Sequence, residues 1–534
     1  MNVMLGYEWV AISTAISRRD RRSAIGAACA SFHHDITSVH DEEIQDHYAD
    51  SVLCKHIAFL VCQADPKHPS SSSMTNSDTD DSSKEEDELG YACSALEMVC
   101  RASAPVLSKS FDKLGPELLD ILLSVLSLNS NSNSNSNNPN TNTNQRRSSC
   151  MAIQKVTKIL CHYARVGSTV EVIAHHPGIL KVLKDILETR QESNTHTPYP
   201  PASPAPSSFD KSMIDDASYI NALWMLGNLA CAPPNMSTIL QYPGLEECLL
   251  QVILSADVTS LPNSNPSSSS SSLSSPSKIT QRLASAGQAI RIFLNLSWTD
   301  DHKTIFASNS KLLHVLLQIV SLRPISPSKR IHHLMLVARQ HAIGTLRNIA
   351  AVPSPDIKLR LCQECAENNH NQNDNKDDKD SKRGTGILSS IYSIITSPHE
   401  DTSLLPTITH HGKPPDHILI KERAIATLYN LICPTTVQLI LQYPHPPNDF
   451  YSAILDASID PEQHREGDLK TLLETTLRSL RESVTSDMSC YDRIWQHSSP
   501  SNLNSHSHLT SNSLPSDTND GTIESDDLIQ FTSI

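Results

Sequence analysis

A nine-residue pattern of apolar and polar positions occurs four times in the chain. The copies read ALWMLGNLA at 222–230, AIRIFLNLS at 289–297, AIGTLRNIA at 342–350 and AIATLYNLI at 424–432. Ala stands first, a large apolar residue second, Leu or Phe fifth, Asn seventh, and Leu or Ile eighth. Spacings of 1, 3 and 3 residues place the apolar positions on one stripe of an α-helix. The pattern therefore predicts four equivalent helices, each with an Asn beside its buried stripe.

Three earlier segments fit the same pattern more loosely. Their seventh places are held by Ala30, Met98 and Lys158, and the last of these follows from aligning the segment 152–159 on its apolar residues. Together with the four clear copies they predict seven units.

A second amphipathic helix is predicted after each copy of the pattern. The segments are 53–62, 117–128, 179–188, 245–254, 312–321, 386–395 and 450–458. The intervening residues hold a short helical piece and a turn, as in CAPPNMSTILQYPG at 231–244, where the two Pro residues end one helix and begin the next. The predicted unit is a short helix, a second helix and a long helix. A further helix at 469–483 has polar outer positions, which is typical of a capping helix.

Low-complexity runs rich in Ser, Asn, Pro and Asp separate most of the units. They lie near 65–87, 129–147, 191–210, 262–277, 366–382 and 396–415. Such segments bury too little apolar surface to offset the entropy of ordering, so we expect disordered inserts. The polar segment 486–534 is likewise expected to be a disordered tail, which leaves residues 1–485 as the repeat domain. Most inserts enter at the same point of the unit and should emerge along one edge.

The three-helix unit, with a third helix of the form A-φ-x-x-L-x-N-φ (φ being a large apolar residue), resembles the armadillo repeat. The resemblance implies an all-α, right-handed α-solenoid of about seven three-helix repeats. Trp224 and Asn228 also match the Trp-x-x-x-Asn pattern of importin-α third helices. In that family the third helices line a concave groove, and the Asn amide holds the backbone of an extended peptide. This likeness covers roughly residues 12–483, apart from the inserts.

The chemistry of such an Asn line is independent of the resemblance. A side-chain amide has donors and an acceptor, so it can bind both polar groups of a peptide unit. An indole face one turn away can hold the stem of a bound Lys or Arg. The predicted partner-binding residues are Trp224, Asn228, Arg291, Asn295, Asn348 and Asn430. An alternative stays open, in which the Asn residues bond to neighbouring helices and hold the stack together.

Charge and composition narrow the class of partner. The net charge of −15 disfavours nucleic acid, because a polyanion is repelled on average. No apolar run is long enough to span a membrane, and the start of the chain lacks the order of a secretory signal. The 13 Cys residues fall in helix-like segments, as expected for free thiols in a reducing compartment. The sequence thus predicts a cytoplasmic or nuclear protein that is not secreted; its oligomeric state does not follow.

Catalytic and metal-binding motifs are not found. Cys362 and Cys365, with His370 nearby, have half the spacing of a zinc site, but no second pair follows, so two Cys on one helical turn is the favoured interpretation. Signatures of hydrolases, nucleotide-binding loops and zinc proteases are absent from the sequence, and no cofactor is predicted. We expect a non-catalytic scaffold or adaptor that binds a protein segment, extended or helical, in the groove. The alternative is a nuclear-transport receptor for basic peptides, which would need Trp in several units, whereas the other units have Arg291, Gly344 and Ala426 at that place.

Overall fold

The structure is a computed structural model that describes most of the chain between residues 142 and 485. The described ranges are 142–192, 216–256, 276–322, 328–367, 386–396, 416–443 and 467–485, with single positions or pairs at 111, 119–120, 122–123, 126 and 453–454. By its internal contacts the chain divides into two units, Met1–Ser483 and Val484–Ile534. All helices below belong to the first unit, except for the last two residues of the final helix.

Fifteen helices account for the secondary structure of the described ranges. They are α1 (Asn142–Tyr163), α2 (Gly167–Ala174), α3 (Ile179–Glu192), α4 (Asp216–Leu229), α5 (Pro233–Leu240), α6 (Leu245–Ser255), α7 (Pro276–Leu296), α8 (Asp300–Ser308), α9 (Ser310–Ser321), α10 (Lys329–Ala350), α11 (Pro355–Glu367), α12 (Ile387–Thr396), α13 (Asp416–Leu431), α14 (Val437–Gln442) and α15 (Gly467–Thr485). No strand occurs in these ranges, so the predicted all-α class is confirmed for them.

The helices follow a repeating order. A long helix, a short helix and a second helix recur as α1–α3, α4–α6, α7–α9 and α10–α12, and α13 and α14 begin another set. We call α1, α4, α7, α10 and α13 the ladder helices. Each packs on the ladder helix before it, and each from α4 onward also packs on the preceding second helix. The second helices α3, α6, α9 and α12 pack on one another in the same order.

The predicted apolar stripe forms the core between these layers. In α7, the side chains of Ala289, Ile290, Phe293 and Leu296 are all at most 1% exposed. The Phe293 ring meets that of Phe306 on α8 edge to face, with centroids 5.6 Å apart. Stripe residues thus hold the short helix against the ladder helix.

Pro residues mark several helix starts, because the missing N–H of Pro is not needed in a first turn. The helices α5, α7 and α11 all begin with Pro. Before α6, Gly244 has φ +75°, a conformation that Gly adopts without strain.

Several described helices extend into the ranges that were predicted to be inserts. Helix α1 begins at Asn142, so the last six residues of the predicted insert 129–147 are helical. The predicted inserts 191–210, 262–277, 366–382 and 396–415 overlap helix ends by one or two residues. A polar helical turn continues from a buried helix at little cost once that helix is nucleated, so polarity alone did not locate the boundary.

Several predictions fall outside the described residues. These are the units centred on Ala30 and Met98, the insert 65–87, the helix at 53–62 and the tail 486–534. The domain boundary at 485 and the number of repeats stay predictions. Among the described helices, none is both long and apolar enough to cross a membrane.

Candidate functional site

The predicted Asn line connects each ladder helix to the one before it. The side-chain amides of four Asn residues donate to backbone carbonyls of the preceding ladder helix. The bonds are Asn228 to Cys161 O at 3.4 Å, Asn295 to Gly227 O at 2.9 Å, Asn348 to Leu294 O at 3.3 Å and Asn430 to Arg347 O at 3.0 Å. In the last three bonds the acceptor is the residue just before the preceding Asn. One geometric rule therefore relates successive helices.

The same rule corrects the alignment of α1. Because Asn228 bonds to Cys161 O, the equivalent of Asn in α1 is His162, and the prediction that Lys158 holds this place was wrong. Lys158 stands one turn earlier, at the place equivalent to Trp224. The apolar stripe misled the alignment because a shift of four residues is close to one helical turn and leaves the stripe on the same side. We call His162, Asn228, Asn295, Asn348 and Asn430 the ladder positions.

A capping residue seven places later supports this register. Thr169, Asn235 and His302 each bond to the carbonyl of the residue just after a ladder position: Tyr163, Leu229 at 3.1 Å and Leu296 at 2.8 Å. These bonds satisfy carbonyls at the carboxyl ends of the ladder helices. Thr169 has the same spacing from His162 that Asn235 has from Asn228.

A second row of donors was missed by the sequence analysis. Asn221, His341 and Arg423 lie seven residues before ladder positions. They bond to Gln154 O at 3.4 Å, Gly287 O at 3.2 Å and Gln340 O at 2.9 Å on the preceding ladder helices. The signal was present, because a side chain able to donate a hydrogen bond directly precedes every copy of the nine-residue pattern. It was overlooked because the pattern was defined from its Ala onward.

The ring of Trp224 is covered by a basic side chain of the same protein. The guanidinium carbon of Arg291 lies 5.8 Å from the centroid of the Trp224 ring. Its Nη2 donates to Asn228 Oδ1 at 2.7 Å, and its Nη1 donates to Gln288 Oε1 at 3.1 Å. Arg291 thus occupies the indole face on which a partner's Lys or Arg was predicted to lie.

The amides at two ladder positions are bonded through both of their polar ends. Asn228 donates to Cys161 and accepts from Arg291. Asn348, which is 7% exposed, donates to Leu294 O and to Ser297 Oγ at 3.0 Å and accepts from Arg347. All four Asn residues thus bond to the preceding ladder helix, which is the contact that the structural alternative requires. That these residues bind a partner stays a prediction.

The side of the ladder helices next to the Asn line presents large side chains to solvent. Positions four before, one before and three after a ladder position lie within roughly 60° of one another around a helix axis. Tyr429, at one such position of α13, is 39% exposed, and Trp298, in the turn two residues after the end of α7, is 57% exposed. We call this surface the ladder face and define it by Lys158, Trp224, Arg291, Trp298, Arg347 and Tyr429.

The ladder helices are basic although the chain is acidic. Their sequences contain thirteen Lys and Arg against three Asp and Glu. The short and second helices from α2 to α14 contain seven basic and eleven acidic residues. The excess of positive charge in the described helices is thus concentrated on one layer.

Three basic side chains lie near the thiol of Cys161. Burial raises the pKa of the Cys161 thiol to about 11, and the positive charges of Arg291, Arg165 and Lys158 oppose that rise. Basic groups from two ladder helices and the turn after α1 therefore lie near one point of the ladder face.

Metal-binding chemistry has no support among the described residues, where no group of three or more His, Cys, Asp or Glu could hold an ion. Cys362 and Cys365 both fall within α11, and Cys362 is half-buried. His370 lies outside the described ranges.

Comparisons with known proteins give weak likenesses. No family model matches the chain, and no curated protein matches it. An engineered protein shares 12% identity over 68% of this chain and 97% of its own, with a TM-score of 0.38. A structure described with a phosphorylation switch in the interaction between cadherin and β-catenin shares 13% over 90% and 78%, with a TM-score of 0.40. The protein SYS-1 shares 12% over 94% and 90%, with a TM-score of 0.30. Values this low assign no family, partner or activity to the chain.

Proposed function

We propose that this chain is a non-catalytic interaction scaffold or adaptor, and that its ladder face binds a segment of a partner protein. The observation that carries the proposal is the exposure of two large aromatic side chains, Tyr429 on the ladder helix α13 and Trp298 in the turn that follows the ladder helix α7. Large aromatic side chains dominate the binding energy of many interfaces, because they bury much area with few rotatable bonds. Scattered apolar residues on a surface need no such explanation, but here both aromatics lie within three residues of an Asn of the repeated polar line.

The architecture proposed with this function is an armadillo-like, right-handed solenoid of about seven repeats whose ladder face lines a concave groove. The repeating contacts of α1 to α13 support a regular stack. In this arrangement Asn295 and Asn430 are better placed than Asn228 to bind a partner's backbone, because the amide oxygen of Asn228 already accepts from Arg291.

The transport-receptor alternative loses support from the same geometry. A receptor for basic peptides needs an acidic surface with open aromatic faces. Here the Trp224 face carries Arg291, and the ladder helices α1, α7 and α10 contain eleven Lys and Arg and no Asp or Glu. A basic peptide would meet charges of its own sign.

The proposal is tested by comparing the partners of matched variants in cells. A Trp298→Ser and Tyr429→Ser double variant should lose a defined set of co-purified proteins by about tenfold or more, since each aromatic anchor contributes on the order of 1–2 kcal/mol. The control is Val172→Ser with Ile305→Ser, which removes two side chains of similar exposure, 43% and 46%, from the short helices. Each lost partner is then measured as a purified protein for direct binding.

Two results would overturn the binding of partners at the ladder face. In the first, both double variants keep every partner of the unmodified chain. In the second, both lose the same partners, which would place the interface elsewhere or show a general loss of folding. Circular dichroism melting of all three proteins separates the latter case.

A further inference from the structure

Arg291 is held in a fixed position with hydrogen-bond donors to spare. A guanidinium has five N–H donors, and the contacts of Arg291 with Asn228 and Gln288 use two of them. The Trp224 ring supports it from one side at 5.8 Å. Arg291 as a whole is half-buried, so the described residues do not enclose it completely. An Arg that is already ordered loses little entropy when it binds an anion.

Carboxylates are scarce around this group. The helices α4, α7 and α10 together contain a single acidic residue, Asp216. That residue is already paired with Arg190 on α3. No ion pair among the described residues involves Arg291, whose two bonded acceptors are neutral amide oxygens. Among the described residues, no carboxylate is thus paired with the positive charge of Arg291.

The neighbouring charges reinforce this preference. Lys158 and Arg165 lie close enough to act on the same Cys161 thiol as Arg291. Arg347, on the next ladder helix, donates to Asn348 Oδ1 at 3.3 Å and is half-buried. Three of the four ladder helices from α1 to α10 therefore have a basic residue on the ladder face, namely Lys158, Arg291 and Arg347.

We propose that the ladder face selects an acidic partner segment, and that Arg291, oriented by Trp224, Asn228 and Gln288, binds a Glu or Asp carboxylate of that segment. This proposal rests on the proposed scaffold function and adds the chemistry of the partner. The guanidinium donors match the two oxygens of a carboxylate, which strengthens the bond over that of a neutral acceptor. The site that would hold a cation on an open indole becomes an anion site because Arg291 covers the ring.

The net charge of −15 does not oppose this selection at physiological salt. Charges more than about 8 Å from a binding site are largely screened there. The local charges of the ladder face therefore decide which segment binds, while the acidic remainder of the chain slows approach at low salt.

The experiment measures fluorescence anisotropy of labelled 18-residue peptides with the full chain. One peptide repeats Glu-Glu-Leu, the second Gln-Gln-Leu and the third Lys-Lys-Leu. We expect the Glu peptide to bind about tenfold or more tightly than the Gln peptide, the Lys peptide to bind least, and the Glu peptide to weaken as salt rises. A phosphoserine version of the Gln peptide and an 18-nucleotide oligo(dT) test other anions.

Substitutions locate the binding site. Arg291→Gln should weaken the Glu peptide about tenfold, and Arg291→Lys should restore part of that loss, because Lys keeps the charge without the paired donors. The matched control is Lys311→Gln on α9, a basic side chain that is 74% exposed and lies outside the ladder helices. It should change binding less than twofold. Melting curves of each variant exclude loss of folding.

The proposal is overturned by any of four results. These are equal binding of the Glu and Gln peptides, preference for the Lys peptide, Arg291-dependent binding that is tighter for phosphoserine or oligo(dT), and equal effects of the Arg291 and Lys311 substitutions. The two proposals fail separately. If cellular partners depend on Trp298 and Tyr429 but not on Arg291, the scaffold function stands without the acidic segment. If the Glu peptide needs Arg291 while no cellular partner needs Trp298 and Tyr429, the opposite holds.

Discussion

Arg291 and Arg423 both reach from one ladder helix to the preceding one, but they meet different groups there. Arg423 lies seven residues before a ladder position, and its Nη1 donates to the backbone carbonyl of Gln340 at 2.9 Å. Arg291 lies four residues before a ladder position and donates to the side chains of Asn228 and Gln288. Arg423 thus links its own helix to the backbone of the preceding one, whereas Arg291 bonds to side chains on the ladder face.

The difference shows that the place on the ladder helix decides what a residue type does. In α4, α10 and α13, the residue seven places before the ladder position donates to a backbone carbonyl of the preceding ladder helix, whereas Gln288 of α7 accepts from Arg291. Four residues before it, the side chain lies on the ladder face. Four residues before the ladder position, α4 has Trp224 and α10 has Gly344. Arg291 lies over the Trp224 ring, whereas Arg423 and Leu294 lie beside Gly344. A Cβ added to Gly344 would lie 3.0 Å from Nη1 of Arg423 and 3.1 Å from Cδ1 of Leu294.

The largest effect is expected when Gly344 of α10 is replaced by Trp, the residue that α4 has at the equivalent position. Gly344→Trp should lower the free energy of unfolding by about 3 kcal/mol, because the indole must displace Arg423 and Leu294 from packed positions. Chemical denaturation measures the change. The control, Gly167→Trp at the start of α2, adds a side chain at an exposed position where a Cβ meets nothing within 4 Å and should cost about 1 kcal/mol or less. Equal costs for the two variants would contradict the close packing around Gly344.

The next effect concerns the Asn line. Asn348→Ala should cost about 2 kcal/mol, because it removes donors to Leu294 O and Ser297 Oγ in a site that is 7% exposed. Asn430→Ala removes one bond, to Arg347 O, from a half-buried side chain and should cost about 1 kcal/mol. Thermal and denaturant unfolding measure both. A melting temperature unaffected by either change would show that these bonds do not hold the stack.

A smaller effect separates the two Arg residues directly. Arg423→Met should cost about 1 kcal/mol through the lost bond to Gln340 O, whereas Arg291→Met should cost less than about 0.5 kcal/mol, since its partners stay accessible to water. Denaturant midpoints of the two variants supply the comparison. The reverse order would make Arg291 the structural residue and would remove the basis for its proposed role.

The last prediction needs no substitution. It compares the reactivity of two thiols, Cys161 in α1 and Cys433 just after α13. Burial raises the pKa of Cys161 to about 11. At Cys433 burial also raises the pKa, but hydrogen bonds from Thr435 and Thr436 outweigh it and leave the pKa below its usual value. Since the thiolate is the reactive form, iodoacetamide at pH 8 should modify Cys433 about tenfold or more faster than Cys161. Peptide mapping by mass spectrometry reads both rates, and comparable rates would contradict the assigned environments.

The sequence predicts the helices of the described ranges well. The predicted segments 179–188, 245–254, 312–321 and 386–395 all coincide with helices, because burial of one stripe per helix determines both the pattern and the packing. The alignment of α1 failed because an apolar stripe repeats every turn and does not by itself fix which turn is which. Polar contacts such as Asn228 to Cys161 O fix it, and these depend on the neighbouring helix.

The candidate site was predicted only in part, for a related reason. The sequence showed that Trp224, Asn228 and Arg291 occupy repeated positions, but not that Arg291 lies over the indole. Each residue was assigned from the pattern of its own helix. The contact joins two helices, since Trp224 lies on α4 and Arg291, 67 residues later in the chain, lies on α7. Exposure of Trp298 could not be anticipated, because it lies just beyond the nine-residue pattern and has no counterpart in the other copies.

The two rows of donors also govern how the stack can twist. Two attachments to backbone, seven residues or about 10 Å apart along a helix, resist rotation of one repeat against the next. Such pairs join α1 to α4, α7 to α10 and α10 to α13. Between α4 and α7, Asn295 provides a backbone attachment, but Arg291 and Gln288 bond to each other and to a side chain. That junction has the shorter lever arm against torsion, so the stack should yield first at Trp224 and Arg291.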